Sequence, residues 1–466
     1  MAFTRKTLQS IGTKEVKTKW RRIQTPIPAP KSLPLIEELR SVEPRSMMGV
    51  PPIIWHEAEG FLVRDPFGNQ WIDLTSGIVA ANTGHAHPAI RQAIRQALDD
   101  KLIYSYAFPT DRRYKLLQKL VDLSPIPDSK AILYSAGTEA TECAIELMRR
   151  HGRSISPKKI GILSFEESYH GRTLSAKLSG GKAGPNDWVS RERVYHYQIP
   201  FPFSPACQWN QAASHVCDEV CFQRCLESLD QRGIVPDEIA GIIAEPMPGW
   251  TTYPIPPNFA KAMADWAKTH DILITFDEVQ SGCGRTGKFF AFEHVGIIPD
   301  LITLGKGLSS SLPVSAVIGP QTLLDIPLPG EMSSTHGGNP VCVAAALANL
   351  EVIKNEDLVT LSARTGKMVM SRLQERLQNF SDYILALDGR GLFISLHLKD
   401  PKTNEPAAEL ADAVVDEAVR RGVLMFATHR GFLKFVPPLN IDPEAALEAV
   451  DVVCDSITDL IKTPKR

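Results

Sequence analysis

The feature that most constrains this chain is an alternation, in its middle part, between short apolar runs and longer amphipathic segments. Each apolar run has four to six residues and little charge, as expected for strands buried on both faces of a sheet. Helical patterns lie between many of the runs, for example at 139–150 and 258–270. The alternation predicts an α/β fold with a doubly wound, mostly parallel sheet. The predicted strands are 131–134, 160–164, 239–244, 272–276, 301–304 and 315–318.

Both ends of the chain differ from this middle part. Residues 60–74, "GFLVRDPFGNQWIDL", predict a β-hairpin, and the Pro-rich segment 24–52 predicts a linker or an extended segment. A helix-like run at 340–354 opens a C-terminal third that predicts a smaller α+β domain. The predicted division is an N-terminal arm with part of the small domain (1–75), a large domain (76–339) and the rest of the small domain (340–466).

Charge and hydropathy exclude several classes of protein. The formal net charge is −2, which gives no electrostatic reason to expect nucleic acid or a membrane surface as a partner. No apolar run approaches the roughly 18 residues that suggest a membrane-spanning helix, and no secretory signal follows the first methionine. We therefore expect a cytoplasmic protein with no nucleic-acid or membrane partner and with reduced cysteines.

The first 31 residues are strongly basic. Their only acid is Glu15, against the basic residues Arg5, Lys6, Lys14, Lys17, Lys19, Arg21, Arg22 and Lys31. We expect a basic arm that lies on the protein or on a partner subunit. A mitochondrial transit peptide is the alternative, although such peptides favour Arg and Ser, whereas this stretch favours Lys.

Small and aromatic residues follow the first two predicted strands. Ligands of open α/β sheets bind beyond the carboxyl ends of the strands. After 131–134 comes Ser135-Ala136-Gly137-Thr138-Glu139, where free N–H groups at a helix start favour an anion, although plain helix capping is the alternative. After 160–164 come Tyr169 and His170, and an aromatic side chain there can stack on a planar ring.

Ionisable and polar residues follow the next three strands. Glu245 follows 239–244, and Asp277 and Gln280 follow 272–276. A carboxylate at the end of an apolar strand is partly desolvated and needs a cationic or hydrogen-bonding partner to stay charged. Lys306 lies between two glycines after 301–304. Any one of these residues could be a solvated loop residue, but together they predict one site.

The segment from Asp277 to Gly307, "DEVQSGCGRTGKFFAFEHVGIIPDLITLGKG", resembles the signature of the class-III pyridoxal 5′-phosphate (PLP) aminotransferases. This family includes ornithine and 4-aminobutyrate aminotransferases and dialkylglycine decarboxylase. Further segments resemble the family in the same order, from about Ile54 to Leu460: "SAGTEATECAIELMRR", "SYHGRT", "AEP", "STHGGNPVCVAAAL" and "FLKFVPPLNI". The resemblance implies PLP as the cofactor and the fold of PLP enzymes of fold type I.

The resemblance also implies roles for residues of the cofactor site. Lys306 would form a Schiff base with PLP and later move the proton between the substrate Cα and the cofactor. Asp277 would keep the pyridine nitrogen protonated, which makes the ring an electron sink. Gln280 would bond the phenolic oxygen of the ring, and Tyr169, next to His170, would stack on its face.

The phosphate of PLP would be held at the first helix start and by a second subunit. Gly137 and Thr138, next to Ser135, would bind it through backbone N–H groups, and the Thr138 hydroxyl would add a contact. Thr335 resembles the family residue that reaches the phosphate of the neighbouring subunit. The resemblance therefore implies a homodimer in which each active site is built by two chains.

The substrate side departs from the family pattern. Glu245 matches a glutamate that pairs with an arginine of the C-terminal part, but the arginine position is occupied by Lys434. Lysine offers a carboxylate a point charge instead of a planar fork, so Lys434 would bind a substrate carboxylate more weakly, or Arg430 could replace it. Ile78 is a further candidate for contact with the substrate. An apolar stretch, Met247-Pro248-Gly249-Trp250, follows Glu245 and favours a less polar substrate.

The predicted function is transfer of an amino group from an amine or amino acid, omega-amino acids included, to a 2-oxo acid. The alternative is a PLP-dependent amino-acid racemase or epimerase, decarboxylase or phospho-lyase on the same scaffold, because Lys434 leaves the substrate side open.

A cluster of four cysteines lies outside these motifs. Cys207, Cys217, Cys221 and Cys225 are close in sequence, with His215 among them. Positions 217, 221 and 225 would share one face of a helix, which favours a buried cysteine face, and no metal site is assigned. A zinc site and redox pairing are the alternatives.

Overall fold

The alternation of apolar runs and amphipathic segments forms helices and strands close to the predicted positions. The structure, a computed structural model, describes residues 8–47, 51–181, 189, 194–210, 212, 214–428 and 430–462. Arg5 and Lys6 of the basic segment lie outside the described residues. The chain divides into a large unit, Pro88–Val359, and a small unit, Met1–His87 together with Thr360–Arg466.

The β-strands are short, and both units contain them. They are β1 (Val16–Lys17), β2 (Arg22–Ile23), β3 (Glu57–Glu59), β4 (Leu62–Arg64), β5 (Gln70–Asp73), β6 (Ser129–Tyr134), β7 (Gly161–Phe165), β8 (His196–Ile199), β9 (Ile239–Ala244), β10 (Leu273–Asp277), β11 (Leu301–Leu304), β12 (Ser315–Pro320), β13 (Ile384–Arg390), β14 (Phe393–Leu398), β15 (Val423–Leu424), β16 (Ala427–Thr428) and β17 (Phe432–Phe435).

The α-helices alternate with the strands in the large unit, and the last element of the chain is also a helix. They are α1 (Leu33–Val42), α2 (Ser76–Val79), α3 (Pro88–Asp99), α4 (Asp111–Leu123), α5 (Gly137–Ile155), α6 (Leu174–Leu178), α7 (Glu219–Gln231), α8 (Pro257–Thr269), α9 (Gln321–Leu324), α10 (Pro340–Asn355), α11 (Leu358–Leu377), α12 (Ala408–Arg420) and α13 (Pro443–Lys462).

The core of the large unit is a seven-stranded sheet with the order β6-β12-β11-β10-β9-β7-β8. Only β12 runs antiparallel to its two neighbours, so the predicted doubly wound, mostly parallel sheet is confirmed. Every residue of β7, β9, β10 and β11 is buried, because helices cover the faces of such a sheet. The carboxyl ends of β6, β7, β9, β10 and β11 therefore share one edge.

The small unit is built from both ends of the chain. β1 to β5 form a sheet to which β15 adds in parallel beside β5, and β13, β14, β17 and β16 form an antiparallel sheet. The predicted hairpin is present as β4 and β5, which pair with Val63 opposite Trp71. Arg21 of the basic segment binds Glu448 of α13, with Nε 2.5 Å from Oε1.

Two unit boundaries differ from the predicted positions after residues 75 and 339. The structure divides the chain after His87 and after Val359. The helix α10, which was assigned to the small domain, packs on α3 and α4 of the large unit. Because α10 has buried residues along most of its length, it belongs to the core of that unit.

Two local predictions were wrong. Leu33–Val42, inside the predicted linker 24–52, is a helix. Cys217 precedes the helix α7, whose N-cap is Asp218, so Cys217 does not lie on one helix face with Cys221 and Cys225. Among the described residues, no helix combines the length and apolar character needed to cross a membrane.

Candidate active site

The shared edge of the large sheet carries a cavity of about 290 Å³. Residues from all five strand ends reach it, as predicted for ligand sites in open α/β sheets. Its lining consists of Gly137, Thr138, Tyr169, His170, Gly171, Arg172, Glu245, Asp277, Val279, Gln280 and Lys306. Nearly all residues predicted for this part of the site are therefore brought together, although they are far apart in sequence.

One end of the cavity is the start of α5. Gly137 and Thr138 are the first residues of this helix, and N–H groups in a first helical turn have no intrahelical acceptor. The N–H groups of Ser135 and Ala136, in contrast, bond to Oε2 of Glu139 at 3.0 and 2.8 Å. Ser135 is not among the lining residues, so the groups that can hold an anion here belong to Gly137 and Thr138.

Gly171 allows the loop after β7 to approach this helix start closely. Its φ is +137°, and an added Cβ would come within 2.1 Å of the Thr138 hydroxyl oxygen. The Thr138 hydroxyl also lies 2.5 Å from the hydroxyl of Thr173. No side chain larger than that of glycine fits at position 171, which explains the glycine of the "SYHGRT" segment.

Asp277, the last residue of β10, is buried, and both of its carboxylate oxygens have hydrogen-bond partners in the protein. Its Oδ2 lies 2.7 Å from Nδ1 of His170, and its Oδ1 accepts from the Val279 N–H at 3.0 Å and from the Thr303 hydroxyl at 3.1 Å. Burial alone would lower the pKa of His170, but the hydrogen bond and the negative charge of Asp277 raise it above its usual value. The contact with Asp277 therefore favours the protonated form of His170.

Lys306 lies at the start of a short 3-10 turn after β11. Its φ is +40°, in the left-handed region that is unusual for a residue with a side chain. The turn is anchored by the Asn349 amide, which donates to the carbonyl oxygens of Gly307 and Leu308 at 2.8 and 2.9 Å. Burial lowers the pKa of Lys306 to about 8, against the opposing charges of Asp277 and Glu245, so far more of the amine is neutral near physiological pH than for an ordinary lysine.

Glu245 connects two loops at the edge of the cavity. Its Oε1 accepts from the Tyr169 N–H and its Oε2 from the Gly249 N–H, both at 2.8 Å. Burial raises its pKa, although the charge of His170 and the two amides oppose that shift. The loop after β9 then passes close to Gln280, since a Cβ added to Gly249 would lie 2.5 Å from the Gln280 amide.

Three residues that the sequence analysis did not assign belong to this region. Arg172 and Val279 line the cavity, and the Arg172 guanidinium carbon lies 6.0 Å from the Tyr169 ring centre. Glu278 is buried beside them, where burial raises its pKa to about 7 and Ser281 and the Phe292 N–H bond its carboxyl group. All three lie inside the quoted family segments, and that position was the only sequence signal for them.

The other predicted site residues are not among those that line this cavity. Thr335 is exposed on a turn of the large unit. Ile78, Lys434 and Arg430 belong to the small unit. Ile78 is 59% exposed, whereas Lys434 is buried in β17 with its amine 5.8 and 5.5 Å from the rings of Phe393 and Phe426.

The arrangement has a clear chemical capability. It combines a weakly basic lysine, a buried carboxylate and the free amides of a helix start in one small cavity. A neutral amine can attack a carbonyl carbon, and helix N–H groups can hold an anionic group of the same molecule.

Comparison with known proteins gives relatives along nearly the whole chain. The sequence profile of the family described as aminotransferase class-III matches residues 45–457. The 4-aminobutyrate aminotransferase of Mycobacterium leprae is 30% identical over 449 residues, which cover 94% of this chain and 98% of that protein. The alanine/serine racemase of Pyrococcus horikoshii is 31% identical over 453 residues, covering 93% and 92%.

A solved structure agrees at the level of the fold. The aminotransferase of Bacillus anthracis superposes with a TM-score of 0.80 at 24% identity, covering 92% of this chain and 98% of that chain. The match to the family profile spans most of the chain, so it shows the family as well as the fold. The chain belongs to the class-III aminotransferase family, and it is a PLP-dependent aminotransferase.

Proposed function

We propose that Lys306 binds PLP covalently and that the cavity around it catalyses amino transfer from an amine or amino acid to a 2-oxo acid. The observation that carries the proposal is the placement of the Lys306 amine, with its pKa lowered to about 8, in one cavity with Asp277 and the start of α5. When bound, PLP supplies an electron sink that stabilises negative charge at the substrate Cα.

The groups of the cavity fit each part of PLP. The carbonyl group needs a neutral amine, which Lys306 supplies. The pyridine nitrogen needs a buried carboxylate, and Asp277 is held in place by His170. The phosphate needs N–H donors, which Gly137 and Thr138 offer. Tyr169, which is 48% exposed within the cavity wall, offers a ring face.

Each of these residues has a defined task in the proposed reaction. Asp277 keeps a proton on the pyridine nitrogen, and His170 stabilises the negative charge of Asp277. Gln280, positioned by the close approach of Gly249, donates a hydrogen bond to the ring oxygen. With PLP bound, the Lys306 amine would be the base that moves the proton of the substrate Cα.

We further propose that the enzyme is a homodimer in which Thr335 serves the phosphate site of the partner. The surface around Thr335 carries exposed aromatic side chains: the Tyr104 and His336 rings are in contact, the Tyr106 hydroxyl bonds to Ser333, and Phe108 is 74% exposed. Exposed aromatic surface is typical of subunit interfaces.

The amino donor that we propose is an omega-amino acid. The relative from Mycobacterium leprae is a 4-aminobutyrate aminotransferase, which supports an omega-amino acid as donor. Lys434 is the cation that we propose for the substrate carboxylate, with a weaker hold than an arginine would give.

One relative favours a second candidate function. The Pyrococcus horikoshii protein is an alanine/serine racemase, and a racemase needs no 2-oxo acid acceptor. The stoichiometry of product formation separates the two functions.

The role of Lys306 is tested by borohydride reduction of the holoenzyme followed by peptide mass spectrometry. The PLP mass should appear on the peptide that contains Lys306. Lys306→Ala should bind PLP without the covalent link and lose nearly all activity, whereas Lys288→Ala, at an exposed lysine, should keep both. Reduced PLP on another lysine would refute the assignment.

Donor choice is tested with a panel of amines, α-amino acids and omega-amino acids, against pyruvate and 2-oxoglutarate. Lys434→Met should raise the KM of donors with a carboxylate by about tenfold, the loss of one ionic contact, and leave amines without a carboxylate unchanged. An equal effect on both groups of donors would exclude Lys434 as the carboxylate site.

A further inference from the structure

Four possible metal ligands meet in the large unit, among residues that the proposed function does not use. The Cys207, Cys217 and Cys221 sulfurs and a ring nitrogen of His215 all lie within 4.8 Å of one another. The Cys207 and Cys221 sulfurs are 3.9 Å apart, and the Cys221 sulfur is 3.4 Å from Nε2 of His215. The loop between β8 and α7 supplies three of the groups and the first turn of α7 supplies the fourth.

The two shortest of these separations match edges of a tetrahedral zinc site. With Zn–S bonds of about 2.3 Å and a Zn–N bond of about 2.0 Å, tetrahedral angles place two sulfurs about 3.8 Å apart and a sulfur and a nitrogen about 3.5 Å apart. The observed 3.9 and 3.4 Å are close to both values. A disulfide is far shorter, at about 2.05 Å.

The local backbone holds the ligands in place. The Cys217 N–H donates to the Ser204 hydroxyl at 3.0 Å, and the Asp218 carboxylate accepts from the N–H groups of Val220 and Cys221 at 3.1 and 3.3 Å. Cys221 therefore lies in the capped first turn of α7, where its position relative to the preceding loop is fixed.

The cluster is shielded from solvent. Cys207, Cys217 and Cys221 are buried and His215 is half-buried. Cysteine sulfur and histidine nitrogen are the ligands that Zn²⁺ takes in closed structural sites.

We infer that Cys207, His215, Cys217 and Cys221 bind one structural Zn²⁺ ion. Three sulfurs and one nitrogen fill the four positions of a tetrahedral ion, which leaves none open for catalysis. Cys225, one turn further along α7, is buried but is not part of the group.

The ion would fix the loop before α7 against that helix. This loop continues from Phe203, whose ring packs edge-on against the rings of Trp250 and Tyr253. Trp250 directly follows Gly249, which binds Glu245 and approaches Gln280. Zinc would thus stabilise the aromatic support of one wall of the PLP cavity.

The test is the metal content of the purified, full-length protein, prepared without chelator and measured by elemental analysis. We expect about one zinc per chain, the stoichiometry of a single closed site, in both the PLP-bound and the PLP-free protein. Cys221→Ala and Cys217→Ala should lose the zinc. Cys225→Ala, which removes a buried cysteine outside the group, should retain it and serves as the matched control.

Two further measurements cover the case in which a variant fails to fold. Cobalt added to the metal-depleted wild-type protein should give the visible absorption of tetrahedral thiolate coordination. All eight cysteines should react with a thiol reagent after denaturation in chelator without reductant. Less than about a tenth of a zinc per chain, iron in place of zinc, zinc that persists in Cys221→Ala, or two missing thiols would each overturn the assignment. None of these measurements depends on catalysis, so their outcome is independent of whether the proposed amino transfer is correct.

Discussion

Nδ1 of His170 lies 2.7 Å from Oδ2 of Asp277, and both side chains are buried at the end of β10. The two residues are separated by 107 positions in sequence. The negative charge of Asp277 raises the pKa of His170 and outweighs the effect of burial. In return, a protonated His170 stabilises the carboxylate that we propose to bind the pyridine nitrogen of PLP.

This pair predicts a loss of cofactor affinity when His170 can no longer donate. His170→Phe keeps an aromatic side chain but removes a charge-assisted hydrogen bond worth about 2 kcal/mol. PLP should then bind about 30-fold more weakly, as measured by fluorescence titration of the apoenzyme.

The conservative change His170→Asn separates this role from simple packing. An asparagine amide can still donate to Asp277, so this variant should recover part of the affinity. His56→Asn, at an exposed histidine, should behave as wild type. Equal affinities of His170→Phe and wild type would show that the pair does not support the cofactor.

The lowered pKa of Lys306 predicts the pH dependence of covalent PLP capture. Only the neutral amine attacks, so the capture rate of the apoenzyme should rise about tenfold per pH unit below the pKa and level off above it. With burial lowering the pKa of Lys306 to about 8, the plateau should begin near pH 8. Stopped-flow absorbance measures this rate, and a rate that still rises steeply at pH 9.5 would indicate an ordinary lysine.

The close approach of Gly249 to Gln280 predicts an activity defect without a stability defect. In Gly249→Ala the new methyl group must displace the end of the Gln280 side chain, which is flexible and can move at little cost. We expect kcat/KM to fall about tenfold, the value of one hydrogen bond to the ring, while Tm changes by no more than about 2 °C.

A matched glycine shows whether that effect is local. Gly12 has no atom within 4 Å of an added Cβ and no positive φ, so Gly12→Ala should match wild type in both measurements. A Gly249→Ala enzyme with full activity would mean that Gln280 does not depend on this contact.

The proposed dimer predicts complementation between two defective chains. The Lys306→Ala homodimer should be inactive because it lacks the lysine that binds PLP. The Thr335→Ala homodimer should bind PLP about tenfold more weakly, because a phosphate contact is lost. In the mixed dimer, one site combines an intact Lys306 with the partner's intact Thr335. At limiting PLP, purified mixed dimers with two different tags should show about half of the wild-type activity. If Thr335 instead contacts the phosphate in its own chain, neither site of the mixed dimer is intact. The mixed dimer should then be no more active than the Thr335→Ala homodimer.

The sequence predicted the large sheet and its edge well, because buried strands carry a strong signal. The strands 239–244 and 301–304 are present with their predicted bounds. The residues that follow them form one cavity, since the carboxyl ends of parallel strands must meet. The family segments contributed the rest of the lining.

Contacts between distant segments could not be predicted from sequence. No local pattern indicates that Gly249 approaches Gln280, or that Glu245 binds the backbone of Tyr169. The helix Leu33–Val42 was missed because prolines surround it. None of its residues is buried, so its apolar residues do not form part of a hydrophobic core. The sequence did not indicate that Cys207 and His215 approach Cys221, because they do so through a loop that has no periodicity.

The central claim, amino transfer in two separate half-reactions, is tested most directly by product stoichiometry. The holoenzyme is incubated with an amino donor and no 2-oxo acid, and the oxo product is counted by mass spectrometry against bound PLP. We predict that product formation stops at about one molecule per active site and resumes when a 2-oxo acid is added. Product that continues to accumulate without an acceptor, or a donor that changes only its chirality, would contradict the account.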